Sequence, residues 1–78
     1  MNIVDEVKHR IEDALPGASV EVAAFSGDDH LRATVSASQF QGKGRVEQHR
    51  MVYASLEGLI GGTVHALQLE TSVLDDGA

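Results

Sequence analysis

Imidazoles are the side chains here with the most chemistry to offer. The 78 residues include four histidines and no cysteine, so thiolate nucleophiles, thiolate ligands and disulfides are all excluded. His65 heads an apolar, strand-like run, Thr63-Val64-His65-Ala66-Leu67-Gln68-Leu69. A histidine placed where a glycine-rich turn becomes a strand has its ring at a sheet edge, within reach of a metal or a partner, while burial fixes the strand behind it. His30 follows the turn-like Gly27-Asp28-Asp29. The plainer reading makes His65 a boundary residue satisfied by water or backbone and His30 a solvated turn residue. His49, within Gln48-His49-Arg50-Met51-Val52-Tyr53, falls on the apolar stripe of a helix. A partly buried structural imidazole is preferred there over ligation. His9, on the polar flank of the first helix, has no such claim.

Other chemistry has little support. No Ser-His-Asp order, carboxylate pair of recognisable spacing or phosphate-cradling loop is present, so no catalysis is expected. Gly58-Leu59-Ile60-Gly61 spells the G-x-x-G string with which K-homology domains clamp a nucleic-acid backbone. It precedes the final strand, where glycines more simply end a helix. Twelve acidic residues against six lysines and arginines leave a net charge of −6, which opposes attraction to phosphate backbones and anionic membranes.

The elements that must hold these histidines follow from periodicity. Ile3, Val7, Ile11 and Leu15 recur every four residues between charged positions, predicting a helix over Asn2–Leu15. Asn2 is its cap, Asp5 and Glu6 suit its dipole, and Pro16-Gly17 ends it. Ser19–Phe25 and Leu31–Ala37 alternate as strands. Ser26-Gly27-Asp28-Asp29 between them predicts an antiparallel hairpin. Ser38–Gly44 is a connection with room for one short helical turn. The spacing of Val46, His49, Tyr53, Leu56 and Ile60 predicts a second helix, and Thr63–Thr71 a last strand. Residues 74–78 are expected to be a flexible tail.

At 78 residues the length suits one domain spanning 1–78, close to the size at which a single core barely outweighs ordering entropy. Aromatics make up only 4%, so Val, Leu, Ile and Ala must fill the core, with Phe25, Phe40 and Tyr53 as its few large pieces. Neither a signal peptide nor a run of roughly 20 apolar residues is visible. The expected address is cytoplasmic, with no membrane partner.

The order helix, strand, strand, helix, strand makes the last two strands a right-handed, parallel crossover. Parallel neighbours start at one sheet edge, so His30 and His65 can meet there. Side-chain parity opposes this, because His30 alternates with Arg32 and His65 with Leu67. The pairing then requires His30 to lie in the hairpin loop, or the two strands not to be neighbours.

Phe40-Gln41-Gly42, Gln48-His49-Arg50-Met51-Val52-Tyr53 and Val64-His65-Ala66-Leu67 together resemble the BolA family. The likeness runs from about His30 to Thr71, with the first helix and the hairpin in place upstream. It implies an α+β, αββαβ fold similar to the type II K-homology domain, a three-stranded mixed sheet with its helices on one face. It further implies a non-enzymatic adaptor that pairs with a monothiol glutaredoxin and shares a [2Fe–2S] cluster in cluster trafficking or iron and redox regulation. A histidine matching His65 would be one ligand, and His30 matches the loop histidine of one subgroup. The thiolates would come from the partner's cysteine and from glutathione, so the isolated chain should hold no cluster. Ligation by two histidines on one iron is chemically reasonable. Lys43, Arg45 and Arg50 form a basic cluster that a solvated helix end explains as well as partner docking or a glutathione-carboxylate contact does. The rival class is a DNA-binding transcriptional regulator using the K-homology-like fold, disfavoured by net charge, and a homodimeric interaction module is a third.

Overall fold

The computed structural model describes residues 2–27 and 30–74. Its first helix, α1 (Ile3–Ala14), starts where the Asn2 side chain accepts from the Asp5 N–H at 2.9 Å. Val7, Ile11 and Leu15 are buried, as the four-residue spacing predicts. Asn2→Ala leaves that N–H without its cap and is expected to cost about 1 kcal/mol. A thermal melt should show it as a fall in Tm of roughly 4–8 °C.

Strands β1 (Ser19–Ser26) and β2 (His30–Ala37) pair antiparallel. Gly27 takes φ 70°, the left-handed turn conformation that glycine adopts without steric cost. The expected Asp28-Asp29 part of that turn lies outside the described residues. After one 3₁₀ turn (Ser38–Phe40) come α2 (Arg45–Ser55) and β3 (Ala66–Val73), which runs parallel to β2. Among the described residues the sheet has the order β1-β2-β3. It is mixed, as the crossover requires.

One face of this sheet is buried. Val20, Leu31, Val35 and Ala37 meet Val7, Ile11 and Leu15 of the first helical segment, Val52 and Leu56 of the second, and Phe40 between them, and Ala33 is buried as well. Leu67 and Leu69 pack against the same cluster. Arg10 ties α1 to the turn that follows α2, pairing with Glu6 of its own helix at 2.8 Å and donating to the Glu57 carbonyl at 3.2 Å. The opposite face is polar. There Arg32 stands beside Gln68, and the Ser36 and Ser72 hydroxyls meet at 2.6 Å across β2 and β3.

Several expectations need correcting. The stripe that faces the core from the second helical segment is Val52, Leu56 and Leu59, not Val46, His49, Tyr53 and Ile60. Regular helix ends at Ser55, so Ile60 sits in the following turn and cannot continue a helical period. A shift of one residue rotates a helix face by about 100°, which carries Tyr53 outward when Val52 is buried. Phe25 and Tyr53 are exposed rather than core pieces, and only Phe40 of the three is buried. The last strand starts at Ala66 and not at Thr63, because a turn takes up the residues between. At the other end, the Leu74 N–H donates to the Ala37 carbonyl at 3.1 Å, which holds the first residue of the expected tail. Residues 75–78 of that tail lie outside the described residues.

Candidate functional site

His30 opens β2, where its Cα is paired with Ala66, the first residue of β3. His65 therefore stands one residue beyond the parallel ladder, beside His30. Their ring centroids are 5.7 Å apart with the planes inclined at 39°. His65 is exposed and His30 half-buried. The predicted convergence is present, but both conditions set by parity fail: His30 is in the strand, and β2 and β3 are neighbours. The release comes at His65 instead.

A local turn explains why His65 escapes the alternation. Gly61 takes φ 88°, its N–H donates to the Val64 carbonyl at 2.8 Å, and the Val64 N–H donates to the Leu59 carbonyl at 2.9 Å. Val64 is fully buried. It fills the inward position at this corner, and His65, ahead of the first ladder residue, is left outside. The Gly58-Leu59-Ile60-Gly61 string belongs to this turn, between α2 and β3.

Two imidazoles on one tetrahedral metal have ring centres roughly 5 Å apart, given metal–nitrogen bonds of about 2 Å. The observed 5.7 Å needs only small side-chain adjustment to reach that, so the pair suits a metal with nitrogen on two positions. Among the described residues no three or more His, Cys, Asp or Glu side chains are grouped to hold a metal ion. The described residues therefore offer two imidazole donors at this rim and no third ligand beside them.

Three further residues, missed by sequence reasoning, run outward from His30 in sequence of contact. The Phe25 ring stacks on the His30 ring, centroids 6.0 Å apart and 27° between planes. The Arg32 guanidinium carbon lies 5.6 Å from the Phe25 centroid, over the ring. Arg32 Nε in turn donates to Gln68 Oε1 at 3.4 Å. Phe25 reaches this position through a β-bulge, since Ala24 pairs with Leu31 and Ser26 with His30, leaving Phe25 as the extra residue. Alternation did contain the signal. With Val20 and Val22 inward, Phe25 falls on the outward side.

His49 stands apart from the pair. It is half-buried and, with Arg45, faces Leu69, Glu70 and Thr71 across an open groove of about 360 Å³ between α2 and β3. The groove is bridged where Thr71 Oγ1 donates to Gln48 Oε1 at 2.7 Å. Lys43, Arg45 and Arg50 are all exposed, and the five-residue step from Arg45 to Arg50 turns the two guanidinium side chains about 140° apart around the α2 axis. Among the described residues no helix is long and apolar enough to cross a membrane.

A family profile described as BolA-like protein matches residues 3–75. The human BolA-like protein 1 is 32% identical over 72 residues, covering 82% of this chain and 53% of its own length; the chain thus spans about half of that relative. A solved BolA homologue from Coxiella burnetii is 31% identical, covers 94% of this chain and 92% of its own, and superposes with a TM-score of 0.73. BolA1 from Arabidopsis thaliana, 17% identical and covering 100% and 99% of the two chains, reaches 0.85, which shows the shared αββαβ fold.

Proposed function

Because the chain belongs to the BolA-like family, we propose that it is a non-enzymatic, cytoplasmic adaptor which completes a [2Fe–2S] cluster held by a monothiol glutaredoxin. The single observation supporting this reading is the convergence of His30 and His65 at one rim of the sheet, 5.7 Å apart and accessible. Two nitrogen donors with no thiolate on the same chain suit a centre whose sulfur arrives from elsewhere, here from the partner's cysteine and glutathione. Bound there, the cluster would supply electron-transfer chemistry, with nitrogen ligation raising its potential relative to an all-cysteine site.

This chain's own part is to present the two rings and to keep them in place. His65 is anchored on one side by buried Val64 and on the other by the ladder that begins at Ala66. His30 is held by its pairing on both sides, to Ser26 and to Ala66. The cluster is shared cargo, which fits a role in trafficking or in iron and redox signalling.

Titrating the purified chain into a glutaredoxin loaded with cluster and glutathione should change the visible absorption and circular dichroism and saturate at one chain per glutaredoxin. The chain without glutaredoxin should retain no visible chromophore after reconstitution and desalting. An unchanged spectrum, with no mixed complex on sedimentation, would overturn the reading. Binding to DNA at about 0.15 M salt with a steep salt dependence would transfer support to a transcriptional role.

A further inference from the structure

We propose that Phe25 is a positioning residue for His30, holding the imidazole in the orientation from which it shares a metal with His65; this rests on the cluster-sharing reading above. The first observation is the placement of Phe25. An aromatic ring 45% exposed contributes little to the core, and the core cluster closes without it. A regular hairpin would also need no extra residue here, yet the bulge inserts one at this position alone among the described β1–β2 pairs. Bulges re-aim side chains, often next to functional sites.

The second observation is what the ring touches. Its 27° stack on His30 limits rotation of the imidazole about its outer torsion, which is broad and weakly constrained in an isolated histidine. Arg32, over the same Phe25 ring, is tied to Gln68 on the neighbouring strand. Gln68, Arg32, Phe25, His30 and His65 therefore form a continuous line across all three strands, ending at the metal-binding edge. Metal sites need their donors held within about 0.5 Å and 10–20° of the productive geometry. Buried neighbours, Val64 for His65 and Leu31 for His30, set the two backbones, and the Phe25 stack acts on the His30 ring itself.

The role requires a flat π surface, so aromatic replacements should preserve it and an aliphatic one of similar bulk should not. In the metal-free chain, Phe25→Leu should leave the backbone amide spectrum native and abolish the contacts between the residue 25 side chain and the His30 ring protons. The His30 ring torsion, read from couplings and relaxation, should become averaged. In the mixed complex with cluster-loaded glutaredoxin, the same variant should lose its cluster to a chelator roughly two to ten times faster, the range an aromatic pair spans, with a weaker visible circular dichroism. Phe25→Tyr and Phe25→Trp should restore both properties, and His49→Ala should change neither.

An unchanged His30 torsion in Phe25→Leu would overturn the proposal, as would a failure of the aromatic variants to restore what leucine loses. If the wild-type chain forms no cluster complex, the proposed function falls on its own. The metal-free measurement still decides whether Phe25 orients the ring.

Discussion

Phe40→Ala is expected to cost about 3–5 kcal/mol and to leave much of the chain unfolded at 37 °C. Phe40 is fully buried, the largest such side chain among the described residues, and the only described aromatic in the core. It ends the 3₁₀ turn between β2 and α2, so its ring packs where sheet and helices meet. The carbonyl of the same residue accepts from Lys43 at 3.0 Å, fixing the turn that carries the chain into α2. The space left behind is not readily filled, since Ala37 in the same cluster is small and its β-branched members, Val35 and Val52 among them, are stiff. For a domain of this length the whole stability is on the order of 4–12 kcal/mol, so the loss is a large share of it. Urea unfolding followed by circular dichroism measures it, with Phe25→Ala as the comparison because that ring is outside the core. A cost for Phe40→Ala below about 1 kcal/mol would mean that the core does not depend on this ring.

His65→Ala is expected to remove the spectral change seen with cluster-loaded glutaredoxin, or to shorten the lifetime of the shared cluster by more than about tenfold. Substitutions in the shell around metal ligands already cost 10–100-fold in affinity, and the loss of a ligand should reach at least that. The substitution touches no core contact, because His65 is exposed and its buried neighbour Val64 is retained. The fold should therefore be native by circular dichroism, which separates lost ligation from lost structure. His30→Ala should act in the same direction, since it removes the other half of the pair. His49→Ala is the matched control, as its ring lines the α2–β3 groove instead. If His65→Ala leaves both the spectrum and the mixed complex intact while the wild type forms them, the ligand assignment is wrong. Retention of the mixed complex with loss of the cluster signal alone would show that docking uses another surface.

The two expected losses have different causes. Phe40 acts through volume and burial, whereas under the proposed function His65 would act through a lone pair and matter only when a metal is present. Both lie in segments that carry the family resemblance. The likeness around Phe40-Gln41-Gly42 thus reflects packing and a turn, while that around Val64-His65-Ala66-Leu67 combines a buried anchor with an exposed donor.

Local pattern determined much of this protein. The four-residue spacing of Ile3, Val7, Ile11 and Leu15, the alternation of Leu31, Ala33 and Val35, and glycines at turns each encode an element within a few residues of chain, because helix and strand periods are set by backbone geometry. The donor set was equally legible: a chain without cysteine can offer imidazoles and no thiolate. Only the tertiary structure decided how these parts meet. The phase of α2 depended on which stripe found the sheet, and two apolar stripes, Val46/Tyr53 and Val52/Leu56, competed for one core. The bulge that turns Phe25 toward His30 arose from β1–β2 registration, a pairing between segments rather than a property of either. The two imidazoles met because a turn closed by Gly61 and Val64 ended the parallel ladder one residue short of His65. Where a strand stops is settled by long-range hydrogen bonds competing with local ones, and alternation along the sequence carries no record of that outcome.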